Sequence, residues 1–82
     1  MNRWRQLNQR EQHIVRLFIV ENKKLDAIAS EIGISATRIT QIMVTVYRLL
    51  EVPDQVQLAL WVGRNWDLVN AKDVTEISRR TA

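Results

Sequence analysis

Residues 24–47 read KLDAIASEIGISATRITQIMVTVY. Small and apolar residues in this stretch fall at the spacings required by two helices joined through a tight turn. Ala29 is small where a second helix must cross closely over the first. Gly33, four residues on, can take the positive φ that the turn demands, where any residue with a Cβ is strained. Ile28, Ile32, Ile34, Ile39 and Ile42 surround this pair and form the seam between the helices. Ala36, Thr37, Thr40, Gln41 and Val44 are left on the outer face. The pattern is that of a helix-turn-helix, and it places DNA binding ahead of other readings.

The flanking sequence extends the helical reading on both sides. Asn8-Gln9-Arg10-Glu11 is a helix start: the Asn8 side chain can accept from the Glu11 amide, and the Glu11 carboxylate can reach back to the Asn8 amide. Leu7 precedes it as a candidate hydrophobic staple. The helix that follows carries Ile14, Val15, Leu17, Phe18 and Ile19 and ends near Glu21-Asn22. A second helix spans 25–32 and stops at Gly33. Ser35 caps a third, over about 36–50, by bonding toward the Arg38 amide. Its many β-branched residues lower intrinsic helicity, so packing must hold it. Pro53 breaks the pattern. A fourth helix then runs over about 55–65, and Trp66 extends its apolar surface. The end of the chain, with a further capping pattern at Asn70-Ala71-Lys72-Asp73, Val74 and Ile77 at helical spacing and Arg79-Arg80, reads as a short helix or a disordered basic tail. The expected organisation is a basic N-terminal arm over 1–6, an all-α four-helix domain over 7–68, and a tail or short helix over 69–82.

Eighty-two residues make one small domain, which buries only about 60% of its unfolded surface. The chain has no cysteine, which excludes disulfides, thiolate zinc ligation and thiol nucleophiles. No apolar run approaches the ~18 residues of a membrane span, and no signal peptide opens the chain, so a cytoplasmic protein with no membrane contact is expected. The formal charge is +3, and its distribution is uneven. Arg3, Arg5, Arg10, Arg16, Lys23 and Lys24 stand against only Glu11 and Glu21 ahead of the helix pair, where they could grip phosphates. Residues 51–68 are acidic instead.

In a helix-turn-helix, the N-terminal part of the second helix meets base edges in the major groove. Those residues would be Thr37, Thr40 and Gln41, with Ala36 and Val44 able to touch a thymine methyl and Thr45 beside them. Gln41 is the best base reader, because an amide pairs bidentately with adenine. Arg38 and Arg48 suit phosphates, as do Lys23 and Lys24, and Ser35 can add a contact at the helix N-terminus. The fourth helix has two readings. It closes the core, or its surplus apolar residues Val56, Leu58, Ala59, Trp61 and Val62 meet the same helix of a second subunit.

No metal or cofactor is expected. His13 has no second ligand at metal spacing, Asp26 and Glu31 point apart on a helix, and no phosphate loop or nucleophile–base set exists. An enzyme is therefore not expected.

Several of these residues resemble the four-helix DNA-binding domain of the LuxR/GerE family of bacterial transcription regulators. Leu7-x-x-Arg10-Glu11 is similar to that family's L-T-x-R-E opening. Ile14, Val15 and Leu17 follow in register, then Ile28-Ala29, Ile34-Ser35, Ile39, Leu50-x-Val52 and Leu58-Ala59-Leu60-Trp61. The resemblance covers about 7–66 and implies a homodimer that docks through helix four and reads DNA with helix three. Lys24 to Ala29 with Ser35-x-x-Arg38-Ile39-x-Gln41-Ile42 also resembles region four of primary sigma factors. The family's frequent Lys-x-His is replaced here by Thr40 and Ile42, so no operator sequence carries over. The expected function is a stand-alone, homodimeric, sequence-specific regulator of bacterial or phage origin that binds double-stranded DNA. The alternative is a protein-interaction module that engages RNA polymerase or a LuxR-type regulator without strong DNA reading of its own.

Overall fold

The first helix begins where its capping chemistry says it should. In the computed structural model, which describes residues 3–70, the Glu11 amide donates to Asn8 Oδ1 and the Asn8 amide donates to Glu11 Oε1, both at 2.8 Å. This closed capping box satisfies two N-terminal amides of α1 (Gln9–Val15). Leu7 is buried, but it does not act as a staple. The position it would have to meet is Gln12, whose side-chain amide instead donates to the carbonyls of Trp4 and Leu7 at 3.0 and 3.3 Å.

From α1 the chain continues through a π-helical stretch, Arg16–Val20. The wider turn seats Leu17 in the core with Phe18, Ile19 and Val20 packed at its edge. Asn22, in the left-handed region at φ +56°, then ends the helix, and the Lys23 amide donates back to the Leu17 carbonyl. Asparagine visits that region with little strain.

The decisive stretch folds as its sequence requires. α2 (Leu25–Ile32) stops at Gly33, which adopts φ +87°, ψ +32° and donates its amide to Ala29. Ile34 also bonds to the Ala29 carbonyl, so the orphan end of α2 is closed within two residues. Ser35 is extended, and its Oγ accepts from the Arg38 amide at 3.1 Å to open α3 (Ala36–Leu50). Ile28 and Ala29 from α2 face Ile39, Ile42, Met43, Val46 and Leu50 from α3, all buried. Fifteen residues make α3 about 22 Å long.

Glu51 is left-handed at φ +56° and ends α3. Asp54 then caps α4 (Gln55–Arg64) by accepting from the Gln57 amide at 2.9 Å. Asn65 separates α4 from a short α5 (Trp66–Asn70). The described residues are thus all-α, with a helix-turn-helix at the centre and one core drawing on every helix.

Both expected boundaries move. Residues 3–6 are not a loose arm: they form a 3-10 turn, Arg3–Gln6, that buries Trp4. Trp4 stacks on Trp61 with ring centroids 6.0 Å apart, and the Arg16 guanidinium lies over its ring at 5.6 Å. Arg3 pairs with Glu51 at 2.5 Å. At the other end, Val69 is fully buried and its carbonyl accepts from Arg16 Nε at 2.7 Å. The core therefore begins before residue 7 and extends past residue 68, because one cation on the first helix holds both ends. Asn70, where the further capping pattern is expected to start, is the last residue of α5, and its side-chain amide donates to the Trp66 carbonyl at 2.9 Å. The rest of that pattern and the basic end lie in residues 71–82, outside the described residues.

Candidate nucleic-acid interface

One face of α3 is buried by the isoleucine seam, and the helical period fixes what the other face presents. Thr37, Gln41, Val44 and Arg48 stand one above the other at spacings of four, three and four residues, with Ala36 and Thr40 beside them. All six are exposed, and Val44 keeps 50% of its surface. Thr45 turns toward the edge and is half-buried. From Ala36 to Leu50 the helix has no acidic residue, and its only full charges are Arg38 and Arg48. Both are exposed cations on a surface that repels no phosphate.

The polar atoms on this face are partly committed. Thr40 Oγ1 donates to the Ala36 carbonyl at 3.1 Å, and Thr45 Oγ1 donates to Gln41 at 3.4 Å. Each hydroxyl proton is thereby tied to the backbone, leaving oxygen lone pairs and a methyl group for any partner. Arg38 Nη1 reaches Gln41 Oε1 at 3.5 Å, the long end of the hydrogen-bond range. Ser35 Oγ is occupied by the Arg38 amide. The expected α3 residues are thus brought onto one helix and, Thr45 apart, into the open.

The basic residues ahead of the pair fare differently. Lys23 is bracketed by Glu31 at 2.5 Å and Glu21 at 3.6 Å. The hydrogen bond to Glu31 raises its pKa first of all; desolvation opposes the rise, and the charges of Glu31 and Glu21 add to it. In the free chain its charge is thus shared with these two carboxylates. Arg3 is engaged by Glu51, and Arg16 is half-buried against Trp4 and Val69, where burial lowers its pKa. Lys24, Arg5 and Arg10 remain exposed. Formal charge in the sequence could not separate these two groups, since the separation is made by partners on other elements.

The proposed contact surface of α4 also needs correction. Leu58 and Val62 are fully buried in the chain's own core, and Trp61 is half-buried against Trp4. Apolar residues surround this ten-residue helix, and the core takes the Leu58–Val62 side. The opposite side carries Val56, Ala59, Leu60 and Gly63 at spacings of three, one and three residues. Val56 and Leu60 expose 68% and 47% of their surface, and a Cβ placed on Gly63 meets nothing within 4 Å. Val56 and Ala59 therefore remain candidates, and Leu60 and Gly63 share their exposed side. Assigning Leu58 and Val62 inward as an i, i+4 pair would have revealed them.

Among the described residues no group of three or more His, Cys, Asp or Glu side chains is placed to hold a metal ion. His13 is exposed on α1. No described helix is long and apolar enough to cross a membrane. No family model, curated protein or solved structure matches the chain.

Proposed function

We propose that the chain is a DNA-binding transcription regulator that lays α3 in the major groove, in the manner of the LuxR/GerE domains it resembles. The observation that carries this reading is the outward face of α3. That face follows a glycine turn and a serine cap, is about three turns long, lacks any carboxylate and is flanked by Arg38 and Arg48. An ordinary solvated helix face mixes both signs of charge. A face with only cations at its margins and small polar or methyl-bearing groups between them suits a phosphate-walled groove.

The working unit in this proposal is a homodimer joined through the outward side of α4. Val56, Ala59, Leu60 and Gly63 form a self-complementary stripe, and Ala59 and Gly63 let two helix backbones approach closely. A two-fold pair of α3 helices would read two half-sites. The same stripe favours a second reading, a module that docks on RNA polymerase or another regulator.

Selection from a randomised duplex pool, followed by fluorescence anisotropy at low and near-physiological salt, tests the proposal. Enrichment of a two-fold-symmetric site, bound less tightly as salt rises, is the expected result. Weak binding with no enriched sequence at either salt refutes it. Gln41→Ala separates the two readings: it relaxes sequence preference if α3 reads bases and leaves activity intact if the chain acts only through α4.

A further inference from the structure

We infer that the half-site read by α3 is dominated by A·T pairs and is recognised in part through thymine methyl groups. This inference rests on the DNA-binding reading above and goes on to identify its substrate.

The major groove presents a distinct request for each base pair. Guanine offers two acceptors, which a guanidinium or ammonium answers best. Cytosine offers an amino donor, which a carboxylate answers. Adenine asks for an amide, and thymine presents a methyl group to apolar contact. The exposed residues of the first turns of α3, where base contact occurs, are Ala36, Thr37, Arg38, Thr40, Gln41 and Val44. Apart from Arg38 they hold no guanidinium, ammonium or carboxylate, so cytosine finds no preferred partner and guanine finds one only in Arg38.

Two hydrogen bonds sharpen the choice. Thr40 gives its hydroxyl proton to the Ala36 carbonyl, which removes the donor that guanine would require and leaves a methyl. Arg38 directs its Nη1 toward Gln41 Oε1. It therefore steadies the amide instead of offering itself to a base. Arg48 is twelve residues, or about 18 Å, beyond Ala36 and falls toward the backbone end of the helix. What remains is one amide for adenine and four side chains that end in methyl groups.

The test uses the duplex enriched from the randomised pool, resynthesised with deoxyuridine in place of thymidine. Base pairing and phosphate count are unchanged, and only the C5 methyl groups are removed. The expected result is an enriched half-site rich in A·T, with affinity falling about four-fold for each contacted methyl lost at an unaltered salt slope. Val44→Ser, at an exposed position that leaves the core intact, should bind more weakly and lose part of its sensitivity to the uracil exchange. A G·C-dominated half-site, or equal affinity for the thymine and uracil duplexes, overturns the inference while DNA binding stands. Retention of no duplex, or of duplex without any enriched sequence, overturns both.

Discussion

Replacing each of the chain's two glycines by alanine should move stability in opposite directions. Gly33 ends α2 at φ +87°, and a Cβ there meets nothing within 4 Å. The cost of Gly33→Ala is therefore the left-handed backbone alone, about 1–2 kcal/mol. Reduced freedom of the unfolded chain returns about 0.4–1 kcal/mol, so a net loss of about 1 kcal/mol is expected. Gly63 lies inside α4, and its Cβ position is equally open. Gly63→Ala should stabilise the monomer by about 0.8–1 kcal/mol through helix propensity. In a domain of this size each of these changes corresponds to about 4–8 °C in Tm. Urea denaturation followed by tryptophan fluorescence measures both, at a protein concentration low enough that self-association does not contribute. Gly33→Asn is the control. Asparagine tolerates the left-handed region, so this variant should lose less than the alanine one. A Gly33→Ala variant as stable as the parent, or a Gly63→Ala monomer less stable than the parent, would refute the reasoning.

Three further outcomes follow from the same geometry. Arg16→Met should cost about 2 kcal/mol in urea denaturation, because it strands the Val69 carbonyl and removes the cation over Trp4. Arg16→Lys should restore little of that loss, since a lysine lacks the planar fork. Leu58→Asp should unfold the chain, whereas Leu60→Asp should leave its circular dichroism unchanged and lower its sedimenting mass. Tyr47, the sole tyrosine, has its pKa raised first by burial and then by the Asp54 charge. The folded state thus favours the neutral phenol. Its contribution to stability is complete below the unfolded value of about 10 and is lost as pH rises through the higher folded value. The Lys23 rise acts with the same sign. Phenolate absorbance should therefore titrate above pH 10 in the folded chain, with stability falling over the same window and not below it.

The parts of the fold that were legible in the sequence are those decided within a few residues. Asn8 with Glu11, Gly33, and Ser35 with the Arg38 amide each solve a local problem of unpaired backbone groups, and one residue type answers it. Periodicity likewise placed the buried side of α3, where apolar and polar positions separate cleanly. It failed on α4, whose apolar residues surround the helix, because only the packing partners choose between the Leu58 side and the Leu60 side. Trp4 and Val69 were missed for a related reason. Each lies near an end of the chain and is buried against residues distant in sequence: Trp4 meets Trp61 and Arg16, and the Val69 carbonyl meets Arg16. The basic cluster was visible as composition, but Arg3, Arg16 and Lys23 find partners inside the molecule that charge counting does not reveal.

The bond from Arg16 to Val69 also orders events in time. Its two residues are 53 positions apart, while α2 and α3 are neighbours along the chain that need only Gly33 to turn back on each other. On a ribosome, the helix-turn-helix can assemble before the carbonyl that Arg16 donates to has been made. Local contacts form fast, and closing the long loop comes last. The outward face of α3 is therefore the early product of folding, and the closure around Arg16 is the late one. A protease that removed α5 would return the chain to its unfinished state, and the loss would be felt first at Trp4, near the opposite end of the sequence.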